Sequence, residues 1–272
     1  MKRSIILFLA ASLLLICHSN TQAQGKFGAF IGVGTMFYQG DIQESTWTNP
    51  ATMRWTVDAG VLWQIDKRWG LHLNYTVGRI VGDDKYAVSK SKRMRDLKFK
   101  SFVHDISIRG TYDILRNDRW RTLPYITAGV GAFRFEPKRD GAALRPMATE
   151  GVAYSNWTVG IPTGIGLKHQ FNCKWALKAE AIYHWTLSDR LDDVSGAYPD
   201  AENEVAFYSD PGGVSPPRDM RGDPTRKDGV WDINIGVIYY FTGCKNKMGG
   251  MIEDCKKLNE GVDMDMMREM YK

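Results

Sequence analysis

His184, Ser188 and Asp189 are the residues of this 272-residue chain whose types and spacing best fit nucleophilic chemistry. A serine acts as a nucleophile when a base lies within hydrogen-bond reach and a third group orients that base. His184 comes late in an alternating segment and Ser188 and Asp189 follow it, so the three would meet at the rim of a sheet. That is the arrangement of a lipid hydrolase. No motif with a mechanism surrounds it, however, and a histidine on a polar sheet face is more often a structural hydrogen-bonder. The chain also lacks Cys-x-x-Cys, His-x-x-x-His and a phosphate-cradling glycine loop. The expectation is a non-enzymatic protein with no catalytic residue, cofactor or metal.

Two stretches concentrate charge. Lys85, Lys90, Lys92, Arg93, Arg95, Lys98 and Lys100 outnumber Asp83, Asp84 and Asp96. Such a run meets lipopolysaccharide phosphates or is simply solvated, and solvation is the plainer reading. Asp189, Asp192, Asp193, Asp200, Glu202 and Glu204 make a second, acidic stretch. Its spacing matches no calcium-binding EF-hand loop, so it too reads as solvated. Arg221-Gly222-Asp223 spells an adhesion tripeptide, for which chance is sufficient explanation in a loop of this composition.

The elements that would position these residues are strands. Alternation is cleanest from Trp69, where Trp69, Leu71, Leu73, Tyr75 and Val77 oppose Gly70, His72, Asn74 and Thr76, and from Trp231 to Phe241. Trp55–Ile65 and Trp175–Trp185 follow the same pattern with more noise, and four further segments between Phe27 and His169 complete eight. The segment Phe99–Tyr112 places His104 on its apolar face, and Tyr125–Phe135 barely alternates. Tight turns at Asp66–Arg68, Gln170–Cys173 and Arg116–Arg121 alternate with long polar loops at Gly40–Ala51, Gly82–Lys98, Glu136–Asn156 and Ser188–Gly229. Short connections at one end and long ones at the other mark an outer-membrane barrel, where periplasmic turns are short and outer loops long. A soluble sandwich or lipocalin-like barrel is the competing architecture. Strands of ten or more residues ending in aromatics favour a bilayer.

The expected fold is all-β: an eight-stranded antiparallel up-and-down transmembrane barrel with a periplasmic C-terminal tail. A barrel of that size is filled by its own side chains. Asp58, His72, Asn74, Asp105, Arg109, Lys178, Glu180, Asp232 and Asn234 would form a packed polar lumen with opposite charges paired, since unpaired charges there are costly.

The ends fit this address. Lys2 and Arg3 precede an apolar run from Ile5 to Cys17, and cleavage after Ala23 satisfies the small-residue rule with Thr21. Bulky Ile16 argues against Cys17 as a lipid anchor. Residues 1–23 thus read as a secretory signal, 24–241 as the barrel and 242–272 as the tail. The full chain has 36 basic and 31 acidic residues, and loss of Lys2 and Arg3 leaves 34 and 31. Near-neutral charge calls for no nucleic-acid partner. No later run of eighteen apolar residues supplies a membrane helix.

The tail carries Cys244, Cys255 and the basic pair Lys256-Lys257, with Met264, Met267 and Tyr271 near helical spacing. It is either an adaptable apolar stripe for a partner or a frayed end. The periplasm permits disulfides. Cys173 and Cys244 fall at the same end of neighbouring strands, so Cys173–Cys244 is one pairing and Cys244–Cys255 its rival.

Tyr38-Gln39-Gly40-Asp41-Ile42, Pro124-Tyr125 through Gly131, Phe133–Pro137, Ile161–Lys168, Leu191-Asp192-Asp193-Val194-Ser195-Gly196-Ala197-Tyr198 and Trp231–Phe241 together resemble the PorG family of small outer-membrane barrels associated with type IX secretion. The Leu-Asp-Asp-Val-Ser-Gly run is the most specific of these. The resemblance implies a subunit that scaffolds a periplasmic ring lipoprotein and its associated secretion proteins. Its contacts would be the turns bearing Arg116 and Arg119 and the tail residues Cys244, Cys255, Lys256, Lys257, Met264, Met267 and Tyr271. The alternative is a stand-alone barrel, embedded in outer-membrane lipid, whose extracellular loops bind a surface ligand or lipopolysaccharide.

Overall fold

The computed structural model describes residues 26–42, 50–115, 120–199, 204–213 and 215–241. The expected signal segment and tail lie outside them, as do Arg116, Arg119, Cys244, Cys255, Lys256, Lys257, Met264, Met267 and Tyr271. Eight long strands run up and down: β1 (Lys26–Gln39), β2 (Arg54–Gln64), β3 (Trp69–Asp83), β4 (Lys98–Asp113), β5 (Thr122–Arg139), β6 (Trp157–Gln170), β7 (Trp175–Thr186) and β8 (Gly229–Tyr240). Each pairs antiparallel with the next, and β8 returns to β1 from Gly28↔Tyr240 to Gln39↔Gly229. The sheet is closed, so no strand edge is left to pair with another chain. A two-residue arm, Ala142–Ala143, folds back on the outer end of β5. The connections 65–68, 114–121 and 171–174 share one end of the barrel with the start of β1; the connections 40–53, 84–97, 140–156 and 187–228 share the other.

The barrel is inside out relative to a soluble protein. Ile31, Val33, Leu73, Ile106, Ile108, Val130, Ile165 and Ile235 all point outward and are exposed, while Asp58, Lys178, Glu180 and Arg109 are buried within. Leaving one such aliphatic side chain in water forfeits about 1.5–3 kcal/mol. Summed over the belt this exceeds the roughly 5–15 kcal/mol net stability of a typical domain, so hydrocarbon must cover it. Aromatic rings border the belt on both sides. Phe27, Trp63, Trp69, Trp175 and Phe241 mark the side of the short turns, and Trp55, Phe102, Trp157 and Trp185 the side of the long loops. These are interfacial girdles. The protein is a small outer-membrane barrel with periplasmic turns and extracellular loops.

The lumen is filled in three layers. Phe30, Leu62, Ala176, Ile238 and Tyr240 form an apolar plug near the periplasm. Above it Lys178 Nζ lies 2.5 Å from Asp58 Oδ2 and 3.2 Å from Glu180 Oε2, Arg109 sits 3.5 Å from Glu180, and the Tyr125 hydroxyl donates to Glu180 at 2.5 Å. At the outer end Met36, Ile80, Phe99, Phe133, Phe135, Leu191 and Val194 make a second apolar plug. Opposite charges pair across strands, as the cost of burying them singly requires.

The two noisy strands have specific causes. His104 does face lipid, where Tyr75 on β3 shields it through a 2.8 Å hydrogen bond. On β5 the inward positions include Gly129 and Gly131, where a Cβ would stand 2.9 Å from the Arg109 side chain and 2.6 Å from that of Ser107. The polar residues of β4 occupy that space, so between inward Tyr125 and Phe133 the strand carries only Thr127, Gly129 and Gly131 on its inner face, and alternation lapses there.

Candidate functional site: the cap over the outer end

The four long connections build a single cap, and two buried arginines hold it. In the second loop, Asp84 begins a 3₁₀ turn over Asp84–Tyr86 and a short helix, α1 (Lys90–Arg95), follows. Arg95, its last residue, grips Asp84 with Nε at 2.6 Å and Nη2 at 3.1 Å, the planar fork matching a carboxylate. The same guanidinium donates to the Arg221 carbonyl at 2.6 Å and the Asp41 carbonyl at 3.0 Å, tying the first, second and fourth loops together. Arg221 donates through Nε to the Ser209 carbonyl at 3.1 Å, and Ser209 ends the second short helix, α2 (Glu204–Ser209). Its Nη1 reaches the Thr149 hydroxyl at 3.1 Å, Glu150 Oε1 at 3.2 Å and the Asp193 carbonyl at 2.6 Å. That joins the third loop to the fourth.

Between these hubs lies the Leu191–Gly196 run, and every residue in it has a partner or a packing role. Leu191 and Val194 fill the outer plug. Asp192 Oδ2 accepts from the Tyr38 hydroxyl at 2.6 Å and the Ile42 amide at 3.3 Å. Asp193 adopts a left-handed backbone (φ 69), which aspartate tolerates better than most residues. Its carboxylate accepts from the Tyr154 hydroxyl at 2.6 Å and from the Thr149 hydroxyl. The amides of Ser195 and Gly196 donate to the two oxygens of Glu150 at 2.8 and 2.9 Å.

The Tyr38 hydroxyl is the junction of barrel and cap. It lies 2.6 Å from both Asp192 Oδ2 and Asp228 Oδ1, and it accepts the Asp41 amide at 3.0 Å. One phenolic proton serves one carboxylate; the second 2.6 Å contact needs a proton on a carboxyl group. Burial pushes Asp192 up to about 7. Burial, then repulsion from Asp192, holds Asp228 well above the usual carboxylate range. Burial also raises Asp189 to about 6. Gly40 is required here, because a Cβ would collide with the Tyr38 hydroxyl oxygen and with Asp228 Oδ1. The Tyr38-Gln39-Gly40-Asp41 and Leu-Asp-Asp-Val-Ser-Gly segments thus meet in space although 150 residues apart.

The loop charges are arranged differently from the expectation of two solvated stretches. Asp189, Asp192 and Asp193 are buried in the cap, and Asp84 is neutralised internally by Arg95. Lys85, Lys90, Arg93, Arg145, Arg218, Arg226 and Lys227 stay exposed. Folding withdraws these carboxyl groups, while Asp96, Asp140, Asp219 and Asp223 stay exposed beside the cations. The adhesion tripeptide is not presented, since Arg221 is a cap hub. Nor do His184, Ser188 and Asp189 assemble. His184 is buried in the lumen 3.9 Å from Asp105 and beside Phe133, while the Ser188 hydroxyl accepts the Arg190 amide. Among the described residues no group of three or more His, Cys, Asp or Glu is placed to hold a metal ion.

Of the other anticipated residues, Tyr125 belongs to the lumen network and the Pro124 carbonyl accepts the Ile114 amide at 2.9 Å across the periplasmic turn. Cys173 lies in the turn between β6 and β7. Cys173 is disulfide-bonded, and Cys244 and Cys255 both fall outside the described residues, so neither Cys173–Cys244 nor the rival Cys244–Cys255 is described. Arg95, Glu150 and Arg221 were not anticipated as hubs. A basic or acidic residue within a loop of mixed charge carries no signal of burial until its partners in other loops are known.

A family profile described as "Domain of unknown function (DUF6089)" matches residues 5–208. No curated protein matches. Among solved structures, Neisserial surface protein A is 10% identical with a TM-score of 0.46, covering 79% of this chain and 97% of that one. Ail of Yersinia pestis, solved with the heparin analogue sucrose octasulfate, is 11% identical at TM-score 0.42, covering 80% and 99%. The N-terminal barrel domain of Pseudomonas aeruginosa OprF is 13% identical at 0.39, covering 80% and 100%. At these values no function passes from them to this chain. The secretion-scaffold expectation is corrected: the matching profile carries no function, no curated protein supports a secretion role, and the PorG resemblance reduces to an outer-membrane barrel. The periplasmic ring lipoprotein and the scaffolding role go with it.

Proposed function

We propose that this chain, which belongs to the DUF6089 family, is a stand-alone, non-enzymatic outer-membrane barrel whose extracellular cap recognises an anionic surface ligand. One observation carries the reading: Asp84, Asp189, Asp192 and Asp193 are consumed inside the cap, while Lys85, Lys90 and Arg93 remain outside and outnumber Asp96, the exposed acid of their own loop. A lumen filled by ion pairs and closed by apolar plugs leaves the outer surface as the part of the molecule that meets other molecules. A cap wired by buried arginines presents that surface in one shape, which lowers the ordering cost of binding.

The test uses the protein in phosphatidylcholine nanodiscs and a size-defined sulfated oligosaccharide as probe. Binding is expected to weaken with added salt, as exposed charge pairs are screened within about 10 Å at 0.1 M. It is also expected to be lost in Lys85→Gln/Lys90→Gln/Arg93→Gln. Absence of binding at low salt, or binding indifferent to the triple variant, overturns the reading.

A further inference from the structure

The outward wall of β3, β4 and β5 differs from the rest of the barrel at its outer end. These strands have 15, 16 and 18 residues against 12 each for β7 and β8, so they rise further above the belt. Along β4 the outward positions run Ile106, His104, Phe102, Lys100, Lys98, passing from aliphatic through the aromatic girdle to cations. Phe102 packs on Trp55 with ring centroids 6.5 Å apart, which fixes the girdle height. Lys100 is two residues further out, about 7 Å along the strand, the depth of lipid headgroups.

Three cations converge there. Arg79 on β3 is opposite Phe102 in register and lies over its ring at 4.2 Å, with no ion pair among the described residues. Lys100 is directly opposite Lys138 on β5. Like charges directly opposite on one sheet face destabilise the pair, and the diagonal distance to Arg79 is only about 7–8 Å. Lys138 has partial relief from Glu136 at 3.6 Å, and both of those side chains are exposed. At the outer ends of β7, β8 and β1 the outward residues are Tyr183, Trp185, Trp231, Phe37 and Gln39, with no cation among them. A ring of neutral aromatics suffices to seat a barrel in a bilayer. The sector bearing Arg79, Lys100 and Lys138 therefore asks for something more, namely an anion lying between them at headgroup depth.

We propose that the outer wall of β3–β5 holds the phosphates of an outer-leaflet lipid, with Arg79, Lys100 and Lys138 as the ligating groups and Phe102 against its acyl chains. This site goes beyond the cap reading and stands without it, since it needs only the membrane placement of the barrel.

The test reconstitutes the full chain with bisphosphorylated lipid A, dephosphorylated lipid A or phosphatidylglycerol, and reads the retained lipid by native mass spectrometry after detergent transfer. The expected result is retention of bisphosphorylated lipid A over both others, resistant to inorganic phosphate at concentrations that do not dissolve the bilayer. Removing a headgroup-level charge costs about fivefold in binding. Arg79→Gln/Lys100→Gln/Lys138→Gln should therefore lose about a hundredfold, while the cap variant Lys85→Gln/Lys90→Gln/Arg93→Gln retains the lipid. Equal retention of phosphorylated and dephosphorylated lipid A, or equal retention by wild type and wall variant, overturns the proposal. Displacement by inorganic phosphate alone overturns the lipid and leaves a free-phosphate site. If the triple variant does not insert, Lys100→Gln carries the test, since it removes one exposed side chain and leaves the network inside the barrel untouched.

Discussion

In the middle of the barrel Glu180 is met by Lys178, Arg109 and the Tyr125 hydroxyl, whereas in the cap Tyr38 stands between Asp192 and Asp228, neither of which has an ion pair among the described residues. Both regions bury carboxyl groups at the full cost of removing them from water. The lumen offsets that cost with counter-charge drawn from opposite strands. The cap offsets it around Tyr38 with shared protons and backbone amides, and further out with Arg95 and Arg221. The difference separates two kinds of rigidity. The lumen is held by paired opposite charges, and part of the cap is held by carboxyl groups that share protons.

The largest effect separates the two regions outright. Lys178→Met leaves Asp58 and Glu180 buried without their shared cation, and breaking a buried pair in this way costs about 3–5 kcal/mol. The loss is expected in the barrel itself, read as a lower temperature for the shift in electrophoretic mobility on unfolding, with the loops still protected from protease. Arg221→Met removes a comparable contact from Glu150 and Asp193. Its expected signature is the reverse: rapid cleavage in the third and fourth loops, and a barrel melting temperature close to wild type. If both variants lower both readouts equally, cap and lumen are one cooperative unit and the contrast between them fails. Gly40→Ala comes next. Its methyl collides with the Tyr38 hydroxyl and Asp228, so cleavage in the first and fourth loops should rise while the strand pairing below is kept.

The fold was legible because two local signals are strong in this chain. Strict alternation in Trp69–Val77 and Trp231–Phe241 and the asymmetry of turn lengths need no knowledge of distant contacts. The structure extends the strands without moving any turn. β5 was obscure because the middle of its inward face, at Gly129 and Gly131, is small to admit Arg109 and Ser107 from β4, and that is a property of the neighbour. The cap was legible only as motifs. The Leu-Asp-Asp-Val-Ser-Gly run stood out, yet its acidic residues read as solvated, because their partners Tyr38, Thr149 and Tyr154 lie 154, 44 and 39 residues away. The wall cations share no signal in the sequence, where Lys98 and Lys100 belong to a basic stretch and Arg79 and Lys138 stand apart from it. Only the register of β3, β4 and β5 brings them together.

The smallest effect is also the most specific to the contrast between lumen and cap. Asp192 in the folded cap is raised from 3.8 to about 7, and Asp228 and Asp189 are raised as well, all chiefly by burial. A carboxyl whose folded value is raised binds its proton more tightly in the closed cap than in the open one. The closed cap therefore has its full advantage below about pH 4 and loses it progressively as pH rises through about 7. Asp140 and Asp223 are shifted down by hydrogen bonds to Lys98 and Thr225, which acts in the opposite sense only at the acid end. Amide exchange in the 187–228 loop should accordingly quicken, beyond the intrinsic pH dependence of exchange, between pH 5 and 8, by at most about tenfold per pH unit for each proton released. Asp192→Asn places a permanent amide where a protonated carboxyl would be, and it should flatten the profile while keeping the loop closed at pH 8. An Asp192→Asn protein that retains the wild-type slope would assign the proton to Asp228, and a wild-type cap with no slope at all would mean that Tyr38 holds its two carboxylates without a shared proton.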